Sequence, residues 1–72
     1  MNTRRWHTLR TGDYAMTTWD GESQLTYRVT RREAGWVLTR RVAGARGVLE
    51  WDPVPTPQEA MAIAEGDAQQ GL

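Results

Sequence analysis

Hydrophobic and polar positions alternate with a period of two over much of the first 51 residues, and clusters of glycine, aspartate and serine interrupt the alternation. Successive side chains of an extended chain point to opposite faces, so the pattern predicts short strands joined by turns. Arg5, His7 and Leu9 alternate with Trp6, Thr8 and Arg10 until Thr11-Gly12-Asp13. Tyr14 to Trp19 is a second strand, stopped by the turn residues Asp20-Gly21-Glu22-Ser23. The best-defined pattern is a hairpin from Gln24 to Ala43. Leu25, Tyr27 and Val29 share one face of its first strand, and Trp36, Leu38 and Val42 share one face of its second. Arg32-Glu33-Ala34-Gly35 connects the two. The opposite face carries Arg28, Thr30 and Arg32 from one strand and Val37, Thr39 and Arg41 from the other, so one face is expected to be core and the other largely cationic. After the loop from Ala43 to Gly47, Val48 to Trp51 is a short last strand that Pro53 is expected to end.

The period then changes. Residues 52–56, with prolines alternating at 53, 55 and 57, form a stiff extended connector, because each proline also pushes the residue before it out of the helical region. Thr56 suits a helix N-cap, Pro57 the first helical position, and Glu59 lies three residues after Thr56, completing a capping box. A helix is therefore predicted from Pro57 to about Gln69. Ala60, Met61, Ile63, Ala64 and Ala68 form its narrow apolar stripe, small enough to lie close on a sheet, while Glu59, Glu65 and Asp67 are expected to face water. Gly66, which costs about 1 kcal/mol in a helix interior, offers an earlier stop near Glu65, and Gly71 a later one.

These elements give an α+β domain. Residues 4–51 form an antiparallel meander of three to five strands, residues 52–56 the connector, and residues 57–69 one C-terminal helix packed on one face. The expected core is Leu25, Tyr27, Val29, Trp36, Leu38, Val42, Leu49, Met61, Ile63 and Ala64. Seventy-two residues make a single domain, and one of this size buries only about 60% of the surface of its unfolded chain. With no cysteine, neither disulfides nor thiolate metal sites supplement the core.

The distribution of charge is more informative than the composition. All nine cations are arginines and lie within residues 1–46 against four acids, whereas residues 47–72 hold five acids and no cation. The net charge of zero thus conceals a basic part of +5 and an acidic part of −5, a split that bears on partners and on self-association rather than on fold. The absence of lysine is attributed first to a GC-rich coding genome. The longest apolar run, Ala60 to Ala64, is far too short to span a membrane, and a soluble, cytoplasmic protein is expected.

Groups able to do chemistry are few. There is one histidine, His7, and one serine, Ser23, the first on a short strand and the second in a turn, without the orienting group and oxyanion site that nucleophilic catalysis needs. The acid pairs Asp20/Glu22 and Glu50/Asp52 sit at turns and strand ends, where solvation explains them. Gly44 and Gly47 lack the lysine and following helix of a phosphate loop, and no metal-ligand spacing is present. The reading is a non-enzymatic protein with no catalytic residues, metal or cofactor.

Four tryptophans (Trp6, Trp19, Trp36, Trp51) and the hairpin arginines stand out instead. Trp36 is assigned to the core. The candidate binding residues are Arg28, Arg31, Arg32, Arg40 and Arg41 with Trp6 and Trp51, because tryptophan and arginine are the residue types that dominate binding hot spots. A protein partner docking on a Trp/Arg-rich sheet surface is the preferred reading. Nucleic acid, with Arg28, Arg32 and Arg41 on phosphates, is the alternative, although nucleic-acid modules usually carry a strongly basic balance. Charge segregation and an open strand edge also permit a homo-oligomer; no membrane is involved.

The order of strand, glycine turn, Gly35-Trp36-Val37-Leu38 strand, loop, short strand and then Thr56-Pro57-Gln58-Glu59-Ala60 opening a helix resembles small uncharacterised bacterial and phage β-β-β-α domains. The arginine-only, tryptophan-rich and alanine-rich style is similar to short orphan accessory proteins of actinobacterial phages. The resemblance covers about residues 24–69 and assigns no functional residue. It implies a cytoplasmic accessory role, in the host cytoplasm for a phage-encoded chain, and so favours protein binding.

Overall fold

A computed structural model describes residues 5–70. Five strands, β1 (His7–Thr8), β2 (Tyr14–Asp20), β3 (Ser23–Arg32), β4 (Gly35–Val42) and β5 (Val48–Glu50), are followed by one helix, α1 (Pro57–Gln70). The strands pair antiparallel in sequence order, an uninterrupted meander, and the helix packs on β3 and β4. The α+β architecture expected from the alternation is the observed one. Residue 4, the expected start of the meander, and Gly71, the later helix stop, lie outside the described residues.

The turns set the register. β2 and β3 meet through Gly21-Glu22, pairing Asp20 with Ser23 and Trp19 with Gln24, and β3 and β4 meet through Glu33-Ala34, pairing Arg32 with Gly35. Leu25, Tyr27 and Val29 then stand opposite Val42, Arg40 and Leu38, and opposite Thr18, Met16 and Tyr14 on the other side. All of these face the helix. Met16, Leu25, Tyr27, Val29 and Leu38 pack with Ala60, Ala64 and Ala68, whose spacing of four puts them on one helix stripe. Alanine along that stripe lets the helix axis approach the sheet closely enough to bury Tyr27 and Met16 completely.

The cap at Thr56 forms as the sequence indicates. Thr56 Oγ1 accepts from the Glu59 backbone N–H at 3.2 Å and donates to Glu59 Oε2 at 3.2 Å, so the acid meets the hydroxyl side of the box. The helix runs through Gly66 without stopping at Glu65.

Several expectations about burial are corrected. Leu49 is exposed, because it faces the helix side from β5 while α1 lies over β3 and β4. A helix is about 10 Å wide and strands are about 4.8 Å apart, so one helix covers two strands and leaves the fifth bare. Trp36, Val42, Met61 and Ile63 flank the core half-buried rather than filling it. Met16 and Ala60, absent from the expected core, are fully buried. Val37, assigned to the open face, does stand opposite Thr30 there yet is buried, and the connector runs beside β4 at this point.

The last strand stops before Pro53 as expected, and the connector adds an isolated bridge beyond it. Pro53 has no N–H to give, and the strand does end at Glu50. Pairing nevertheless resumes one residue after the proline, with Trp36 N–H donating to Val54 O at 2.8 Å and Val54 N–H donating to Trp36 O at 2.9 Å. This clamp brings the Val54 carbonyl against Gly35 and leaves no room for a side chain: a Cβ at that position would lie 2.6 Å from the Val54 oxygen, and the backbone φ is +135°.

Gly35→Ala is accordingly expected to lose at least about 2 kcal/mol in urea unfolding, from backbone strain together with the clash. Gly66→Ala, with nothing near its Cβ position inside α1, is expected to gain up to about 1 kcal/mol. Equal effects of the two substitutions would contradict the clamp.

Candidate binding surface

Among the described residues, the face turned away from α1 is open except around Val37, which is buried. The register arranges its side chains in rows across the strands: His7, Ala15, Arg28, Thr39 and Glu50 form one, and Thr17, Thr26, Arg41 and Val48 the next. Trp19, opposite Gln24, stands beside the second row and is 59% exposed, the most exposed large hydrophobic residue described. Arg32 continues the same face toward the other end of β3. Threonines separate the charges here because β-branched residues suit a pleated, half-solvated surface.

Thr26, Arg28, Thr39, Arg41 and Val48 line a hollow of about 280 Å³ in this face. Arg28 Nη2 donates to Asp13 Oδ2 at 3.1 Å, and half of the Arg28 side chain stays exposed. Asp13 is largely buried, and its carbonyl accepts from Leu9 N–H at 2.7 Å, which fixes the β1–β2 turn beside the arginine. Thr39 Oγ1 donates to the Arg28 carbonyl at 3.4 Å. Arg41 makes no ion pair among the described residues and is exposed.

The helix side has a different electrostatic arrangement. One oxygen of Asp67, Oδ2, accepts from Tyr27 Oη at 2.6 Å and from Arg40 Nη1 at 2.8 Å, tying the last turns of α1 to both central strands. Asp67 was expected to face water and instead turns inward, since Tyr27 and Arg40 stand directly opposite each other beneath it. Burial pushes the Tyr27 phenol up to about 12, with the hydrogen bond to Asp67 and its negative charge adding to the effect. The hydrogen bond to Asp67 in turn holds the Arg40 guanidinium more firmly protonated than usual. Arg40 Nε is buried with no partner among the described residues, which offsets part of the gain.

The expected binding residues therefore do not form one patch. Arg28, Arg32 and Arg41 share the open face. Arg40 lies on the helix face and is engaged by Asp67, and Arg31, opposite Trp36, is exposed on the helix side. Trp6 and Trp51 are half-buried against the helix-side core, and Trp6 Nε1 donates to Glu65 Oε2 at 3.1 Å. The aromatic residue beside the arginines is Trp19, which was not among the expected binding residues. A signal for it exists in the sequence: a two-residue Gly21-Glu22 turn pairs Trp19 with Gln24, and Gln24 alternates with the core residue Leu25.

Among the described residues no group of three or more His, Cys, Asp or Glu is placed to hold a metal ion, and no helix is long and apolar enough to cross a membrane. Comparison with known proteins gives no match to any family model, curated protein or solved structure.

Asp67→Ala is expected to cost about 2 kcal/mol in urea unfolding, because it strips two donors of their shared acceptor. Tyr27 has a raised folded-state pKa, so the stability it contributes is complete below about pH 10 and declines as pH rises toward about 12. Wild-type stability should fall through that window by about 2 kcal/mol more than the stability of Tyr27→Phe does; parallel pH profiles would contradict the role given to the phenol.

Proposed function

We propose that this chain is a small non-enzymatic binding module that docks on a partner protein through the open face of its sheet, as an accessory protein acting in the cytoplasm, that of the host if a phage encodes it. The observation that carries the reading is that exposed Trp19, Arg41 and Arg28 occupy successive rows of a face that α1 leaves bare, with Arg32 farther along the same face. Tryptophan and arginine contribute disproportionately to protein interfaces, and here a hydrogen-bonded sheet holds them in place before any partner arrives. Catalysis fits the geometry poorly. His7 pairs with Ala15 and Ser23 with Asp20, so the two lie about 17 Å apart along β2.

The test is a photo-crosslinking amino acid placed at Thr39 on the open face, or at exposed Gln58 on the helix, in the native host. A discrete protein adduct is expected from Thr39, absent from Gln58 and lost when Trp19→Ala and Arg41→Glu are combined. Equal adducts from both positions, or an adduct that nuclease removes, would overturn the proposal, the second outcome in favour of nucleic acid.

A further inference from the structure

The geometry points to a specific chemistry for the partner: the hollow between Arg28 and Arg41 receives a single side-chain carboxylate, from an Asp or Glu flanked by an aliphatic residue. This rests on the reading of the open face as a protein-docking surface and deepens it. Arg28 pairs with Thr39 and Arg41 with Thr26, so the two arginines are diagonal neighbours on one face, with Cβ atoms about 7 Å apart. At that spacing two like charges repel each other, and an anion seated between them is reached by both guanidinium forks. Thr26 adds a hydroxyl to the same hollow, and Val48, 48% exposed, gives it an apolar wall.

What surrounds the hollow limits the anion to one. Asp13 is bonded to Arg28 at one end of its row, and Glu50, opposite Thr39, stands at the other end. A phosphate backbone laid across the strands would pass both carboxylates, at a repulsive cost that grows as water is excluded. An isolated carboxylate entering from above meets Arg41, which has no ion pair among the described residues, and the exposed half of Arg28. The exposed valine wall calls for an aliphatic neighbour, which would bury apolar surface on both partners.

The experiment is an NMR titration of the isotope-labelled full chain with the capped peptide Ac-Leu-Glu-Leu-NH2, the matching Ac-Leu-Gln-Leu-NH2, and a short oligothymidylate. Saturable shifts are expected at Thr26, Thr39, Arg41 and Val48 with the glutamate peptide. Binding should be about tenfold weaker with the glutamine peptide, the fold-change of one lost charge-assisted contact. Arg41→Gln, at an exposed position, should keep the remaining spectrum and lose the difference between the peptides. Equal binding of the two peptides, or no saturable shift at the hollow, would overturn the carboxylate site while leaving the Thr39 crosslink intact. Tighter, salt-sensitive binding of the oligothymidylate on the same residues would overturn both this inference and the protein-docking reading beneath it.

Discussion

Fourteen helical residues reach about 21 Å, and their width covers about two strands; the organisation of the molecule follows from this mismatch between one helix and a five-stranded sheet. Placed over β3 and β4, α1 completes a core with the residues that face it and leaves the reverse of the sheet to solvent. The flanks need other cover. Trp6 packs beside the β2 edge of the core, and Trp51 and Val54 beside its β4 edge. Beyond them Leu49 lies past the strands that α1 covers, which is why a residue with a core-like pattern is exposed.

The helix is held by a shallow apolar contact strengthened by one polar one. Three alanines bury little area individually, so the close approach they allow and the bonds from Tyr27 and Arg40 to Asp67 act together. Both donors stand on adjacent central strands, so the carboxylate also fixes where along the sheet the helix lies. Arg40 is consequently an internal structural cation, whereas Arg28, Arg32 and Arg41 stand on the other face.

That division gives the two faces different physical characters. The helix side engages Asp67 with Arg40 and Glu65 with Trp6, and leaves Arg31 exposed at its end. The open side keeps Arg41 unpaired among the described residues, Arg28 half-exposed and Trp19 uncovered. Such a face is rigid, because every strand beneath it except the short edges is paired on both sides, and a rigid surface loses little entropy on docking.

By itself the sequence determined the elements and much of their pairing. Period-two alternation from Tyr14 to Val42, the turn residues between strands, and the Thr56-Glu59 cap are local signals, each set by a few neighbouring residues, and the structure retains them. The alternation also separates Arg28, Arg32 and Arg41 from Leu25, Tyr27 and Val29 without help from any tertiary contact. Tertiary structure alone decided which strands the helix covers, and hence the exposure of Leu49, the inward turn of Asp67 and the loss of Arg40 from the open surface. It also decided that the chain pairs again at Val54 after Pro53, and that Trp6 and Trp51 pack against the helix-side core. The physical reason is the same in each case: alternation assigns a residue to a face, but burial depends on what lies above that face, and a helix of limited width placed by distant contacts determines it.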